Sequence, residues 1–293
     1  MTKLHLVDGT YELFRAYYGA PPSDAPDGRP VGATRGLLQT LLSLLRQPDV
    51  THVGVAFDHV VESFRNEIFG GYKTGDGVPE DLANQFELAE RVTRALGIVV
   101  WPMIEFEADD AIATAVAIWA GAPEIEQVVI CSPDKDMMQL IRGQDVVSLD
   151  RRRQIVIDYK GVVEKFGVEP DSIPDYLALV GDTSDGIPGV PRWGAKSASV
   201  VLKRYKRIEA IPENSMLWDV SVRGAKSMAA ELKEHRSVVN LYKELTTLRL
   251  DVPLTESLED LEWKGARSSE YKILCSKLGF QRLATVPSRW RDD

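Results

Sequence analysis

The sequence of 293 residues predicts an α/β protein with a mainly parallel central sheet flanked by helices, followed by a helical region. Two observations predict this fold class. Short β-branched runs alternate with helix-like stretches in the first half of the chain, which is typical of strand–helix–strand units whose parallel sheet is covered on both faces. From about residue 160 the strand pattern fades, and helical stretches punctuated by Gly and Pro follow.

Five apolar runs, each rich in β-branched residues, mark the predicted strands. They are KLHLVD (3–8), THVGVAFD (51–58), GIVVW (97–101), EQVVICS (126–132) and QDVVSLD (144–150). Helices are predicted between them at GLLQTLLSLLRQ (36–47), EDLANQFELAERVTRAL (80–96) and ADDAIATAVAIWAG (108–121). The change of pattern predicts an α/β core over 1–165, a helical region over 166–262 and a C-terminal tail over 263–293 that packs on the core or is partly mobile.

Composition narrows the class of protein. The net charge of −9, from 35 basic and 44 acidic residues, argues against a protein that coats nucleic acid, although affinity for phosphates depends on where Lys and Arg lie. The two cysteines are far apart and form no zinc-binding or disulfide pattern. Since no apolar run is long enough for a signal peptide or a membrane span, we expect a cytoplasmic, nucleoid-associated protein without a membrane segment.

The stretch EFEADDAIA (105–113) crowds four carboxylates before an apolar helix, namely Glu105, Glu107, Asp109 and Asp110. One explanation is helix capping, in which an acidic side chain accepts a hydrogen bond from a free N–H group in the first turn. Capping needs one or two carboxylates, and the others repel one another unless a cation lies between them. This stretch alone leaves capping and metal binding about equally supported.

The other acidic motifs favour metal binding. In open α/β sheets the functional crevice lies at the carboxyl ends of the strands, and acidic residues follow four of the predicted strands. With two more from GDTSDGIPG, the candidate ligands are Asp8, Asp58, Glu107, Asp109, Asp110, Asp134, Asp136, Asp182 and Asp185. Nine converging carboxylates would destabilise the fold without cations, and a site made only of oxygen ligands selects Mg²⁺ or Mn²⁺ over zinc.

Five stretches, in order, resemble the 5′ nuclease family, which comprises flap endonucleases and the 5′→3′ exonuclease domain of bacterial DNA polymerase I. They are LVDGTYELFRAYY, FDHVVESFRNEIFGGYK, EFEADDAIA, SPDKDMMQL and GDTSDGIPGV, and they cover most of residues 4 to 206. The resemblance implies a PIN-like or resolvase-like core in a stand-alone, monomeric nuclease of replication and repair. It implies hydrolysis of DNA at 5′ flaps, overhangs or free 5′ ends, with RNA in RNA/DNA hybrids as a further substrate.

The resemblance also implies roles for individual residues. Asp8, Asp58, Glu107 and either Asp109 or Asp110 match ligands of one divalent ion, and Asp134, Asp136, Asp182 and Asp185 match ligands of another. Lys73 and Arg65 match family positions that contact the reacting phosphate, where a cation stabilises developing negative charge. The alternative for both is an ordinary solvated surface side chain.

The stretch GVPRWGAKSASVVLKRYKR resembles the family's helix–hairpin–helix, which binds the duplex backbone and implies a possible K⁺ site. Its candidate DNA-binding residues are Arg192, Lys196, Lys203, Arg204, Lys206 and Arg207. Two features depart from the family pattern. Arg192-Trp193-Gly194 replaces a Gly–apolar–Gly hairpin, and TGDG follows Lys73 where the family has a basic run. We therefore expect close backbone approach at residue 192 to be replaced by a side-chain contact.

Two alternative functions compete with the nuclease interpretation. DGT (8–10) and GDTSD (181–185) echo motifs of haloacid-dehalogenase-type phosphatases, but the nucleophilic Asp that this chemistry needs would lie at position 6, where the chain has Leu6. The second alternative is a catalytically inactive DNA-junction-binding protein. Loss of acidic metal-ligand residues from the sequence would indicate such a protein.

Overall fold

The computed structural model describes residues 2–292, which form two compact units. The first unit comprises the chain up to Ser63, Gly75–Ser132 and the chain from Leu250 onward. The second comprises Phe64–Thr74 and Pro133–Arg249. Both units are discontinuous in sequence, and the boundaries proposed after residues 165 and 262 stay predictions.

Helices and strands alternate as far as residue 150, and helices predominate afterwards. The strands are β1 (Thr2–Asp8), β2 (His52–Asp58), β3 (Val99–Met103), β4 (Ile125–Cys131), β5 (Val146–Asp150), β6 (Ile155–Ile157), β7 (Ala266–Arg267) and β8 (Trp290–Arg291). The helices are α1 (Gly9–Gly19), α2 (Gly32–Leu45), α3 (Phe64–Ile68), α4 (Glu80–Ala83), α5 (Phe86–Ala95), α6 (Ala108–Trp119), α7 (Tyr159–Phe166), α8 (Ile173–Val180), α9 (Ala195–Tyr205), α10 (Ala225–Glu234), α11 (Arg236–Thr246) and α12 (Ser268–Lys277).

Four parallel strands form the sheet of the first unit, in the order β3-β2-β1-β4. The central strand β1 is buried over its last five residues, as expected when helices cover both faces of a parallel sheet. Each of the five predicted strands is present, and the predicted mainly parallel sheet is confirmed. Because the strands run in the same direction, the residues that follow them gather at one edge.

The helix predicted over 80–96 is two helices, α4 and α5, and Gln85 lies at the break between them. The Gln85 side chain is 1% exposed, and its Oε1 accepts hydrogen bonds from the backbone N and the hydroxyl of Thr34. Its Nε2 donates to the Asp81 carbonyl. The buried amide therefore ties this break to the start of α2.

In the second unit, α8 packs against α9 and α11, and β5 and β6 form an antiparallel hairpin. The hairpin between α8 and α9 is anchored by Trp193, which is 3% exposed and donates its indole N–H to the Met228 carbonyl at 3.0 Å. The predicted helical region with a hairpin between two helices is thus present in this unit.

The segment predicted as a C-terminal tail belongs to the first unit. There α12 packs against α5, β7 pairs in parallel with β8, and Trp263 donates its indole N–H to the Leu96 carbonyl at 2.8 Å. Across residues 2–292, each helix is too short or too polar to span a lipid bilayer.

Candidate active site

Three aspartates of the second unit form its most buried acidic cluster. Oxygens of Asp136, Asp182 and Asp185 lie within 4.8 Å of one another, and the residues are 6%, 1% and 8% exposed. Asp136 begins a 3₁₀ turn, and Asp182 and Asp185 lie in the loop after α8. Asp134 is exposed, and its Oδ1 accepts a hydrogen bond from the Asp136 backbone N at 3.0 Å. The structure thus brings together Asp136, Asp182 and Asp185, with Asp134 at the same turn.

Two oxygens in this cluster suit a bound cation. Within residues 2–292, neither Asp136 Oδ1 nor Asp182 Oδ2 has a hydrogen-bond partner, although both atoms are buried. Burial raises the pKa of Asp136 well above its ordinary value, and the nearby charges of Asp134, Asp185 and Asp182 raise it further. Buried carboxylate oxygens that lack donors are costly. An all-oxygen donor set of this kind suits a hard divalent ion.

Two lysines line the cluster. Lys73 Nζ lies 3.3 Å from Asp185 Oδ1, and Lys135 Nζ lies 2.6 Å from Asp182 Oδ1. Burial lowers the pKa of Lys135, but its hydrogen bond to Asp182 and the surrounding carboxylates outweigh burial, and the net shift is upward. The lysines neutralise only part of the charge of the four aspartates.

The backbone around Asp185 is closely packed, and this fixes the position of Lys73. The Lys73 backbone N donates to the Asp185 carbonyl at 3.1 Å. Gly186 has a φ of +74°, and a Cβ at that position would lie 2.1 Å from the Gly71 carbonyl oxygen. Only glycine fits there, and it allows the segment that carries Lys73 to approach the aspartate loop.

In the first unit, Asp8 and Asp58 end the adjacent strands β1 and β2. Asp8 caps α1 by accepting a hydrogen bond from the Tyr11 backbone N at 2.8 Å, and its second oxygen accepts one from the Ser132 hydroxyl at 3.0 Å. Asp58 Oδ1 accepts a hydrogen bond from the Ala108 backbone N at 2.8 Å, at the start of α6. Both carboxylates therefore accept a hydrogen bond from a backbone N–H group in the first turn of a helix.

The EADD motif forms a capping box at the start of α6. Asp110 is 0% exposed and accepts from the Glu107 backbone N at 3.0 Å, while Glu107 accepts from the Ser63 hydroxyl at 2.7 Å. Asp109 is half-buried in the first turn. Among the described residues of the first unit, these carboxylates do not form a group of three with oxygens within 4.8 Å. Full burial and capping by Asp110 favour Asp109 as the ligand of the pair, and the ligand set stays a prediction.

Arg65 lies in the interior of the second unit. It is 1% exposed, its Nε donates to the Leu245 carbonyl at 2.8 Å, and its Nη2 donates to the Thr247 carbonyl at 3.3 Å. These acceptors lie at the C-terminal end of α11, where carbonyls lack partners within the helix. The geometry favours a structural role, and a phosphate contact by Arg65 stays a prediction.

The six candidate DNA-binding residues are all exposed. Arg204 pairs with Asp219 at 2.5 Å, and Lys206 pairs with Glu169 at 2.7 Å. Arg192 has a left-handed backbone, with a φ of +68°, a conformation that favours glycine, and its side chain is 66% exposed. The hairpin therefore presents an exposed cation at a position whose backbone conformation favours glycine.

Sequence reasoning missed the partners that orient the carboxylates. The hydroxyls of Ser63 and Ser132 bond to Glu107 and Asp8, and Lys135 bonds to Asp182. Lys135 lies inside the SPDKD motif and Ser132 directly follows β4, so position along the chain could have indicated both. Ser63 carries no such signal.

Comparison with known families identifies this architecture. The family model described as "5'-3' exonuclease, N-terminal resolvase-like domain" matches residues 3–167, and the model described as "5'-3' exonuclease, C-terminal SAM fold" matches residues 168–269. These matches confirm the predicted family resemblance, fold class and enzyme class. They also favour the nuclease interpretation over the phosphatase.

Relatives and solved structures agree with the family models. The chain is 33% identical to the 5'-3' exonuclease of Aquifex aeolicus, over 97% of this chain and 94% of that protein. It is 38% identical to DNA polymerase I of Pseudomonas aeruginosa over 88% of this chain, but it spans only 28% of the polymerase. A structure of T5 5'-exonuclease with bound zinc shares the fold, with a TM-score of 0.66, 19% identity and coverage of 83% of this chain and 89% of that chain. The catalytic core of Rad2 with a DNA substrate has a TM-score of 0.57 at 13% identity, covering 95% of this chain and 88% of that chain. This chain therefore belongs to the 5′-3′ exonuclease family.

Proposed function

We propose that this chain is a divalent-metal-dependent 5′ nuclease, which hydrolyses DNA phosphodiesters at 5′ flaps, overhangs and free 5′ ends. The observation that carries the proposal is the buried cluster of Asp136, Asp182 and Asp185 with Lys73 at its edge. Such a cluster is costly in a protein that only binds DNA, because the buried carboxylates repel one another and cannot contact phosphates. A hydrolase that positions cations beside a phosphate needs such a cluster of carboxylates to bind them.

Two sets of carboxylates would hold the ions. Asp134, Asp136, Asp182 and Asp185 would hold one, and Asp8, Asp58, Glu107 and Asp109 or Asp110 would hold another. A bound Mg²⁺ or Mn²⁺ lowers the pKa of a coordinated water and neutralises charge on the reacting phosphate. Asp136 must be deprotonated to bind a cation, and the cation in turn favours its charged form.

Lys73 supplies the positive charge that the protein itself directs at the phosphate. Its ammonium lies 3.3 Å from Asp185, and its backbone is fixed by the Asp185 carbonyl. A cation held in place before the substrate binds stabilises negative charge that develops on phosphate oxygens as the bond to the leaving oxygen breaks. Lys73 would thus orient and stabilise the reacting group.

The exposed basic residues of the hairpin and of α9 would bind the duplex away from the cut. Backbone N–H groups at the start of α9 and the side chains of Arg192 and Lys203 suit phosphate oxygens. The K⁺ site at this hairpin, RNA in hybrid substrates, a monomeric state and association with the nucleoid belong to the same proposal.

A labelled 5′-flap duplex tests the function directly. We expect products cut near the junction with Mg²⁺ or Mn²⁺ and intact substrate in EDTA. Asp185→Asn should abolish cleavage while leaving flap binding largely intact. Asp145→Asn is the matched control, since Asp145 is exposed in the same unit and lies outside the cluster. Cleavage in EDTA, or full activity of Asp185→Asn, would contradict the proposal.

A further inference from the structure

Two adjacent apolar side chains of the second unit face water. Met216 is 88% exposed and Leu217 is 68% exposed, on a 3₁₀ turn that spans Ser215–Leu217. Hydration of large apolar side chains is unfavourable, and a neighbouring pair is more informative than a single exposed residue. The pair is therefore a candidate contact surface.

The turn that carries this pair is held in place by hydrogen bonds. The side chain of Asn214 accepts from the Met216 backbone N at 3.0 Å, and the Leu217 backbone N donates to the Asn214 carbonyl at 2.9 Å. The next residue, Trp218, is 8% exposed, and its ring centroid lies 6.0 Å from that of Trp193 in the hairpin. A partner would therefore meet an already ordered loop and would lose little entropy in fixing it.

The pair lies in a segment that is basic overall, although its own loop carries Glu213 and Asp219 and the whole protein is acidic. Residues 190–236 contain ten Lys and Arg against five Asp and Glu, in a chain whose net charge is −9. The loop is joined to the basic end of α9, because Arg204 Nε donates to Asp219 at 2.6 Å and the Tyr205 hydroxyl donates to it at 2.7 Å. An apolar pair beside cations is complementary to a polyanion that also has an apolar surface.

We propose that Met216 and Leu217 form a non-ionic contact with duplex DNA, in which they pack against sugar and base edges in the minor groove while the neighbouring cations bind phosphates. Apolar side chains such as Met and Leu make contacts of this kind in minor-groove-binding proteins. This inference rests on the proposed nuclease function, because it names a contact with the same substrate. The cations at the end of α9, to which the loop is joined through Asp219, favour DNA over a protein partner.

The double substitution Met216→Ser with Leu217→Ser tests the contact. Binding of a plain duplex is measured in EDTA over a series of salt concentrations. We expect Kd to rise about tenfold with an unchanged slope of log Kd against log salt, because the substitution removes contact area and no charge. The matched control is Ile118→Ser with Ile273→Ser in the first unit, where the residues are 51% and 55% exposed. It should leave Kd unchanged.

The outcomes separate this inference from the proposed function. Wild-type affinity in the double variant, with cleavage by the wild type confirmed, would overturn the Met216–Leu217 contact alone. A changed salt slope would also overturn it, since the effect would then be ionic. Failure of the wild type to bind duplex would overturn both. Because both side chains are exposed, melting of the double variant should match the wild type and exclude misfolding as the cause.

Discussion

Lys135 Nζ lies 2.6 Å from Oδ1 of Asp182, a carboxylate that is 1% exposed. The ammonium group of Lys135 thus neutralises part of the negative charge of the buried Asp182. A bound divalent ion would take over that neutralisation, so the lysine matters most for the fold when metal is absent.

Lys135→Met should therefore lower stability in EDTA by about 1 kcal/mol, because it leaves a buried carboxylate without its cation. The effect is modest because the Lys135 side chain is 34% exposed and the pair is partly screened by water. Urea unfolding with and without Mg²⁺ measures it, and Mg²⁺ should restore most of the loss. Lys160→Met, on an exposed part of α7, is the control. Equal losses with and without Mg²⁺ would contradict this role.

Asp136→Asn should raise the melting temperature of the metal-free protein near neutral pH. The folded pKa of Asp136 is raised above the ordinary 3.8 by burial and by neighbouring carboxylates. The protonated carboxyl of Asp136 thus contributes its full stabilisation of the fold below about pH 4. This contribution is lost as the pH rises through the folded pKa. Asparagine removes the charge, and each kcal/mol of relieved repulsion should raise melting by about 2–4 °C.

Melting curves in EDTA between pH 4 and pH 8 measure this difference. The gap between Asp136→Asn and wild type should widen as pH rises, and it should close or reverse when Mg²⁺ is added, because the variant loses a ligand. Asp145→Asn serves again as the control. A gap that does not change with pH would mean that Asp136 is not the titrating group.

Lys73→Ala should reduce the single-turnover cleavage rate about a hundredfold or more, with little change in flap binding, since a fixed charge that stabilises the transition state acts on the chemical step. Lys73→Arg should retain part of the rate. The matched control is Lys165→Ala, which removes an exposed lysine of the same unit. A change in Kd alone would assign Lys73 to substrate binding instead.

The sequence was sufficient to predict β1 to β5, because a buried strand needs a continuous apolar run that is visible in one dimension. The strands β6, β7 and β8, which are only two or three residues long, were not predicted. It could not predict the break at Gln85, since a polar residue in a helical pattern suggests exposure, whereas this amide is buried against Thr34. The discontinuous units were equally invisible, because packing between distant segments leaves no change of composition at their ends.

The candidate site could likewise be predicted from the sequence only in part. The positions of acidic residues at strand ends were predictable from the sequence, and the grouping of Asp136, Asp182 and Asp185 agrees with them, whereas convergence of all nine carboxylates stays a prediction. Capping by a carboxylate of the EADD motif was one of two explanations that the sequence left open, whereas the burial of Arg65 was not predictable. Arg65 donates to the Leu245 carbonyl 180 positions later in the chain, and no local pattern marks an acceptor so distant.

Neutralising the basic end of α9 should weaken duplex binding and flatten its salt dependence. The triple variant is Lys203→Gln, Arg204→Gln and Lys206→Gln, and each of these cations that binds a phosphate contributes up to about 0.9 to the slope. Arg204 and Lys206 must first leave their acidic partners, Asp219 and Glu169, so we expect the slope to fall by less than the full effect of three cations. The control has an equal change of charge in the first unit and comprises Lys264→Gln, Lys272→Gln and Lys277→Gln. Equal slopes for the two triple variants would contradict a local patch.

Arg192→Gly should stabilise the fold while weakening duplex binding, two effects of opposite sign from one substitution. A non-glycine residue at a φ of +68° is strained by about 1–2 kcal/mol. Glycine removes that strain but adds unfolded-state entropy, for a net gain of about 0.5–1 kcal/mol. The same substitution removes the exposed guanidinium that would bind a phosphate.

Arg192→Lys separates these effects, because it retains both the charge and the strain and should leave stability near that of the wild type. Urea unfolding gives the stability of each variant, and duplex titration gives its Kd. The Glu231 carboxylate lies 3.9 Å from Arg192 Nε, and because the Arg192 side chain is 66% exposed, water screens this long ion pair too strongly for it to offset the strain. If Arg192→Gly were less stable than the wild type, the left-handed turn would owe its stability to the arginine side chain. If it bound duplex as tightly as the wild type, Arg192 would not contact phosphate.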